Sequence, residues 1–379
     1  MKHIVDVERE GEVSSCRHDV FQGAPLGWTS VPTVYDLTRD QLTDRLVSWG
    51  EPAFRGKQLW TQLWKRAATY DQMSDVSPTL RERLASDLPL GVEVLDERTA
   101  DKGATRKSLL RLGGKHVIET VLMGYRDRVT VCVSSQVGCA MGCGFCATGQ
   151  MGLESNLTAG EIAAQVVWAR REAARLPEST PRRLSNVVFM GMGEPMANYR
   201  PVRDAVTRLM DPTGMRVGAR HITVSTVGLV PGIRRLGNDH PRVSLAVSLH
   251  AADDELRNEL VPPNRMHPLA ELEAAIAAWR ERTRRRPTIE WAMIDGVNDS
   301  DEQAGKLAPI AYRLRAHVNL IPLNPTPGWS DRPSSTPRIE SFVRVLEAGG
   351  VNVTVRDTRG RRIDAACGQL RLEHEVGSA

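Results

Sequence analysis

The chain has no long hydrophobic run and no secretory leader pattern. No stretch approaches the roughly 20 consecutive apolar residues that a membrane-spanning helix needs. The segment Met1–Glu10 carries charges of both signs without an apolar core, which is not the pattern of a signal peptide. We therefore expect a cytoplasmic protein with no membrane partner, in a compartment where thiols stay reduced.

The chain also lacks a large excess of positive or negative residues. The 379 residues include 50 lysines and arginines against 46 aspartates and glutamates, a formal net charge of +4. This mild basic bias permits a nucleic-acid partner but does not indicate one. Hydrophobic residues make up 41% of the chain, so a sizeable core can form. The length suits one large barrel with a small appended domain.

Cysteine is scarce, and half of it lies in one short segment. Six cysteines are present, of which Cys139, Cys143 and Cys146 have the spacing C-x3-C-x2-C. In a reducing compartment such a group indicates metal ligation before it indicates disulfides. A structural zinc normally takes four ligands, whereas three thiolates suit a [4Fe–4S] cluster with one iron open to a cofactor. A zinc knuckle completed by a distant residue, or cysteines that are merely buried, are the alternatives.

The two ends of the chain show little pattern. Residues 1–32 have no clear periodicity, so we expect a disordered or loosely attached extension in which Cys16 is a free surface thiol. Residues 371–379 form a short tail.

Residues 33–90 form a predicted helical domain. Thr38 and Gln41 have the spacing of a capping box, and two further helices are predicted from Pro52 and over 78–86. Basic residues surround the second of these helices, which leaves open a solvated basic face or an RNA-docking surface. These basic residues are Arg55, Lys57, Lys65 and Arg66.

From residue 91 onward strands enter the pattern. Residues 91–128 are predicted to be a linker and a β-hairpin, with strands at 108–112 and 116–123 joined by a glycine turn. Residues 129–370 then alternate short apolar strands with helical segments, which indicates parallel βα units. The fold class is therefore α/β, a partial (βα)6 barrel with its chemistry at the carboxyl ends of the strands. The predicted barrel strands cover 129–133, 186–190, 221–225, 243–249, 288–293 and 317–321, with a last strand at 351–356.

Five longer motifs carry a resemblance to a known family. They are CVSSQVGC with FCATG (132–149), FMGMGEP (189–195), VSLHA (247–251), LIPLNP (320–325) and TRGRRIDAACGQL (358–370). The cysteine triplet resembles the radical S-adenosylmethionine (SAM) superfamily. The set as a whole, spread over residues 35–370, resembles the RlmN family of adenine carbon-2 RNA methyltransferases.

The resemblance implies a set of SAM contacts at the ends of the barrel strands. The GxGE loop brings Gly193 and Glu194 to the ammonium group of SAM, where the glycines permit close approach and the carboxylate supplies the charge. A lone GxGE sequence would usually be a turn, and a lone serine at a strand end is commonly a helix cap. The other implied contacts are Ser225, Ser248, Leu249, His250 and Asn324.

Three further residues gain roles from the resemblance alone. Cys367 is implied to be the S-methylcysteine intermediate, Cys132 the resolving thiol that forms a transient disulfide with it, and Glu119 the proton acceptor. Without the resemblance, each has an ordinary structural explanation. Cys367 would be an inert small apolar residue, Cys132 a core residue, and Glu119 a solvent-facing position of an alternating strand.

The resemblance also implies substrates and partners. The expected substrates are 23S rRNA and a subset of tRNAs, whose target base would leave its stack to enter the barrel. The expected cofactors are one [4Fe–4S] cluster on three cysteines and two molecules of SAM per turnover, with a flavodoxin-type electron donor. A radical route is reasonable because carbon 2 of adenine is a poor nucleophile. A monomer is expected.

Two alternatives remain at this point. A sister family methylates carbon 8 of adenine with equivalent cysteines, and Gly-Glu-Pro at 193–195 favours the carbon-2 family over it. A non-catalytic RNA-binding protein with a structural metal would have a redox-inert centre and no need of Cys367 or Glu119.

Overall fold

The fold is that of a computed structural model, which describes residues 32–326, 328–356, 360, 363–366 and 368–370. Cys16 and Cys367 lie outside the described residues, as do the predicted extension, except for Pro32, and the predicted tail.

Three helices open the described chain and agree with the sequence predictions. They are α1 (Arg39–Ser48), α2 (Phe54–Trp60) and α3 (Pro78–Asp87). The capping box is confirmed, because Thr38 Oγ1 accepts from the Gln41 amide at 3.2 Å and the Thr38 amide donates to Gln41 Oε1 at 2.9 Å. These helices pack around buried leucines and tryptophans, namely Leu42, Leu46, Leu59, Trp60, Leu63 and Trp64.

An antiparallel sheet of three strands follows the helices. It consists of β1 (Val92–Ala100), β2 (Thr105–Leu112) and β3 (His116–Gly124). The predicted hairpin is β2–β3, with Leu112 opposite His116. The sequence predicts a linker in place of β1, because the charged residues of this segment lack the apolar alternation that identifies a strand.

The hairpin continues directly into the barrel sheet. Within the described part of the chain the main sheet has the strand order β1-β2-β3-β4-β7-β8-β9-β10-β11-β12. From β4 onward every neighbouring pair is parallel, which confirms the α/β prediction of a partial barrel. The strands not yet introduced are β4 (Val129–Cys132), β5 (Gln136–Cys139), β6 (Gly152–Asn156), β7 (Asn186–Phe189), β8 (Ile222–Thr226), β9 (Ser244–Ser248), β10 (Thr288–Met293), β11 (His317–Pro322) and β12 (Asn352–Val355).

Helices cover the outside of the parallel strands. The sequence patterns do not predict the helix Val230–Asp239, whose ten residues include one proline and two glycines, or the helix Thr336–Ala348. Among the described residues no helix is long and apolar enough to span a membrane. The remaining helices are α4 (Ala147–Gln150), α5 (Ala159–Glu172), α6 (Tyr199–Met210), α7 (Val230–Asp239), α8 (Asp254–Leu260), α9 (Leu269–Thr283), α10 (Asp301–Leu314) and α11 (Thr336–Ala348).

Candidate functional site

A large cavity opens at the carboxyl ends of the parallel strands, where a barrel of this kind carries its chemistry. The empty space within it and in its open mouth together is about 1060 Å³. Nine of the residues singled out in the sequence line it, all from loops or strand ends: Cys139, Cys143, Cys146, Gly193, Glu194, Ser225, Ser248, His250 and Asn324.

The three cysteines reach this cavity from one loop. Cys139 ends β5, the Cys146 amide donates to the Cys143 carbonyl at 3.1 Å, and α4 begins immediately after Cys146. Gly138 precedes the loop with φ +74°, and a Cβ there would lie 2.0 Å from the Gly152 carbonyl oxygen. Only glycine fits this approach of β5 to β6.

Burial raises the pKa of all three thiols. The pKa of Cys139 is raised to about 12, mainly by burial, and the pKa of Cys143 lies well above its usual value because burial adds to the repulsion of Cys146 and Cys139. The pKa of Cys146 is raised as well, again mainly by burial. Three buried thiolates therefore need a cationic partner, and an iron–sulfur cluster is the kind of group that supplies it.

The described residues contain no group of three histidine, cysteine or carboxylate side chains arranged around a single metal ion. Cys139, Cys143 and Cys146 instead share the wall of one cavity.

The loop after β7 holds a buried carboxylate beside the cysteines. Glu194 accepts hydrogen bonds from the amides of Met196 at 2.9 Å and Val227 at 2.8 Å. Burial raises its pKa to about 7, while these hydrogen bonds oppose the rise. Gly193, with φ +97°, allows the loop to lie against Gln136, where any Cβ would clash at 2.5 Å. The carboxylate is thus fixed in position and can pair with a ligand cation.

His250 lines the cavity, and its backbone is strained. Its φ of +62° lies in the left-handed region, which is uncommon for a residue other than glycine. Its Nδ1 accepts from the Ala292 amide at 3.0 Å, and its ring lies edge-on to Phe145. Burial lowers its pKa to about 3, with help from the nearby Arg257 charge. His250 is therefore neutral at physiological pH.

Leu249 is the one implied SAM contact in the described chain that is not part of the cavity lining. Its side chain is buried, and its amide donates to the Glu290 carbonyl at 3.0 Å. Any contact it makes with a ligand would have to come through its backbone.

Two charged residues of this region were missed by the sequence analysis. Glu290 lines the cavity from β10, and burial raises its pKa. The buried Arg257 donates to the Val227 carbonyl at 2.6 Å and to the Leu249 carbonyl at 3.0 Å, so it ties together the loops after β8 and β9. For Glu290 the only signal in the sequence is a charged residue inside an apolar strand. For Arg257 there is no signal, because its position in a short helix is typical of a surface residue.

Glu119 and Cys132 are not part of the cavity lining and lie on the neighbouring antiparallel strands β3 and β4. Cys132 is opposite Val121 of β3, and Glu119 precedes Val121 by two residues, so the side chains of Cys132 and Glu119 project from the same face. Glu119 is buried, which excludes the solvent-facing alternative, and its carboxylate lies 2.9 Å from Lys107 Nζ.

The described residues around Cys367 contact the cluster loop. The Gly368 carbonyl accepts from the Ala147 amide at 2.8 Å, and the Leu370 carbonyl accepts from Thr148 Oγ1 at 2.7 Å. Gly368 and Leu370 both line the cavity. The C-terminal motif and the cysteine triplet, more than 200 residues apart in sequence, are therefore neighbours in space.

Comparison with known proteins agrees with this arrangement. Residues 133–308 match the model of the Radical SAM superfamily, which implies a [4Fe–4S] cluster and SAM. Residues 33–89 match the Ribosomal RNA large subunit methyltransferase N-terminal domain.

Curated relatives and a solved structure cover almost the whole chain. A probable dual-specificity RNA methyltransferase RlmN from Chloroflexus aurantiacus is 49% identical over 90% of this chain and 93% of its own. One from Salinispora tropica is 52% identical over 85% and 88%. The crystal structure of a radical SAM methyltransferase from Sphaerobacter thermophilus has 50% identity and a TM-score of 0.86, covering 90% of this chain and 99% of that one. The chain is therefore an enzyme of the radical SAM superfamily and belongs to the RlmN family of RNA methyltransferases.

Proposed function

We propose that this enzyme methylates carbon 2 of adenine in 23S rRNA and in a subset of tRNAs, with Cys367 as the methyl carrier. The observation that carries the proposal is the single cavity lined by the three cysteines, Glu194 and Gly368. It brings a site for a radical-generating cluster next to the segment that contains the expected carrier.

Cys139, Cys143 and Cys146 would hold the cluster. Glu194 would pair with the ammonium group of SAM, and the polar side chains of Ser225, Ser248 and Asn324 would bind the rest of the molecule. When bound, the cluster and SAM supply the methyl group and the one-electron chemistry that activates it.

The chain's own residues then complete the transfer. Cys367 carries the one-carbon unit to carbon 2 of the adenine as a radical, and the Glu119 carboxylate accepts the proton that leaves this carbon. The one electron left on the adenine ring would return to the bound cluster. The Cys132 thiolate attacks the sulfur of Cys367, so that an S–S bond forms and the S–C bond breaks. The electron pair of that bond goes to the methylene carbon, which takes up a proton and becomes the methyl group. The shared sheet face of Glu119 and Cys132 supports their action on one intermediate.

The N-terminal helices are proposed to dock the RNA. Lys57, Lys65 and Arg66 are exposed, as a phosphate-binding face requires. Arg55 is less suited, because it bonds Gln58 at 2.7 Å and the Asp75 carbonyl at 3.1 Å within the same domain. The enzyme would act as a cytoplasmic monomer reduced by a flavodoxin-type donor.

Mass analysis of nucleosides tests the proposal. Anaerobically reconstituted enzyme is incubated with SAM, a one-electron reductant and unmodified 23S rRNA or tRNA, and the digested RNA is compared with standards. We expect 2-methyladenosine from both RNAs with wild-type enzyme and none with Cys367→Ala. Formation of 8-methyladenosine would establish the carbon-8 reaction instead. Methylation by Cys367→Ala would rule out the covalent carrier.

A further inference from the structure

We propose that Lys107 is a positioning residue, which holds the Glu119 carboxylate and the C-terminal segment (the described residues 360, 363–366 and 368–370) in register with each other. The proposal rests on the proposed function in one respect, the role of Glu119 as proton acceptor. It assigns to Lys107 the task of placing that carboxylate where the carrier segment delivers the adduct.

Lys107 and Glu119 form a buried ion pair on neighbouring strands. Lys107 Nζ lies 2.9 Å from Glu119 Oε1, and the two side chains are only 6% and 5% exposed. Lys107 of β2 is opposite Val121 of β3, which in turn is opposite Cys132 of β4. Lys107, Glu119 and Cys132 therefore share one face of the sheet. The ammonium donates a charge-assisted hydrogen bond to the carboxylate, which fixes the position of that oxygen.

The same ammonium also contacts the C-terminal segment. Lys107 Nζ donates to the Asp364 carbonyl at 3.2 Å. Asp364 lies three residues before Cys367 and has φ +50°, so its carbonyl is presented by a left-handed backbone turn. An ammonium has three protons to donate, and here it joins a carboxylate and a backbone oxygen that are 245 residues apart in sequence.

A second link anchors the same segment without touching Glu119. Asp101 Oδ2 accepts from Thr105 Oγ1 at 2.6 Å and from the Gly360 amide at 3.2 Å. Attachment of the C-terminal segment to the start of β2 therefore does not depend on Lys107. The particular contribution of Lys107 is its simultaneous contact with the segment and with the Glu119 carboxylate.

Stability alone is a poor explanation for this pair. Taking both charges out of water costs about as much as their attraction returns, and apolar residues of similar size are often equally stable in such places. A buried lysine on β2 is better explained by the placement of a carboxylate whose orientation matters.

The test separates the late steps of the reaction from the early ones. Lys107→Met removes the ammonium but keeps the apolar stem, and Lys107→Arg keeps a charge in a different geometry. Arg111→Met is the matched control, since Arg111 lies on the same strand and pairs with Glu93 at 2.6 Å near the surface. Three quantities are measured in one turnover: 5′-deoxyadenosine, protein–RNA adduct on a denaturing gel, and released 2-methyladenosine.

For Lys107→Met we expect 5′-deoxyadenosine within twofold of wild type, accumulated adduct, and release of methylated RNA reduced at least tenfold. Lys107→Arg should show the same pattern to a smaller degree, and Arg111→Met should behave as wild type.

Release of methylated RNA at the wild-type rate by both Lys107 variants would overturn the proposal. So would a loss of all three products in proportion to a lowered melting temperature, because that is the result of a structural role. If Lys107→Met does not fold, the adduct-to-product ratio of Lys107→Arg decides, and a ratio equal to wild type overturns the proposal. Failure of the proposed function is distinct, since wild-type enzyme would then release no 2-methyladenosine.

Discussion

The Val227 amide donates a 2.8 Å hydrogen bond to the Glu194 carboxylate, which joins the loops that follow β7 and β8. The other carboxylate oxygen accepts from the Met196 amide of its own loop. Both oxygens of a buried carboxylate are thus held in place at the edge of the cavity. This fixed charge leads to the first prediction.

Glu194→Gln should weaken SAM binding and remove its pH dependence. Because burial raises the pKa of Glu194 to about 7, part of the population is neutral at pH 6, and a ligand cation binds only the ionised form well. The KM for SAM should therefore fall as pH rises from 6 to 7.5 and then level off. In the variant we expect a KM at least tenfold higher at pH 8 and little change with pH. Measuring KM at four pH values checks this, and an unchanged pH profile in Glu194→Gln would contradict it.

His250→Gln should flatten the dependence of stability on pH. The folded-state pKa of about 3 lies below the unfolded value of 6.5, so protonation below pH 6.5 favours the unfolded chain. Stability from this residue is present above pH 6.5 and is lost as the pH falls towards 3. At about 1.4 kcal/mol per pH unit, the free energy of unfolding should drop by about 2 kcal/mol between pH 6.5 and 5.

Denaturant unfolding of the cluster-free protein at these two pH values measures the effect. The glutamine variant should lose this part of the pH dependence, whereas substitution of the exposed His221 by glutamine should keep it. If the free energy of unfolding changes equally with pH in wild type and in His250→Gln, then His250 does not have the lowered pKa that its burial predicts.

The barrel and its strand ends were predictable because they depend on local patterns. Apolar runs separated by helical segments define βα units, and residues at the carboxyl ends of parallel strands necessarily meet at one edge of the sheet. That rule is sufficient to bring Glu194, Ser225, Ser248 and Asn324 to one cavity from the carboxyl ends of four strands or the loops that follow them.

The antiparallel side of the site was not predictable in the same way. The exposure of a charged residue depends on what packs over it, which the sequence pattern does not specify. In the sequence Lys107 lies among polar residues and Glu119 is a single charge in an apolar strand, yet both are buried, and the Asp364 carbonyl contacts Lys107 Nζ. The buried Arg257 was missed for the same reason.

Cys143→Ser should abolish the cluster without unfolding the protein. A serine oxygen is a much poorer ligand to iron than a thiolate, and the substitution changes one atom in a buried position. We expect loss of the iron–sulfur visible absorption and of 5′-deoxyadenosine formation, with RNA binding retained. Cys132→Ser is the matched control, because it is a buried cysteine outside the cavity and should keep the absorption. Iron content near wild type in Cys143→Ser would contradict the assignment.

Arg257→Met should destabilise the fold and loosen the SAM site together. The buried guanidinium donates to carbonyls of the loops after β8 and β9 and to Asn264 Oδ1 at 2.5 Å, and these acceptors would lose their donors. Removal of buried charged hydrogen bonds of this kind costs about 3 kcal/mol or more. Arg313→Met, which removes an exposed arginine, should cost less than about 1 kcal/mol. Denaturant unfolding and the KM for SAM are the two measurements, and a stable variant with normal KM would contradict this role.

Charge reversal at two lysines, one on α2 and one just after it, should weaken RNA binding and leave the chemistry of the barrel intact. Lys57 and Lys65 are exposed, and each lysine that neutralises a phosphate contributes about one unit to the slope of log Kd against log salt. The double variant Lys57→Glu with Lys65→Glu should bind RNA at least tenfold more weakly, with a shallower salt dependence. Its 5′-deoxyadenosine formation without RNA should equal that of wild type.

Arg344→Glu, which reverses an exposed charge on α11 of the barrel, is the control. If both proteins lose RNA affinity equally, the effect is one of net charge, and the N-terminal helices are not the docking surface.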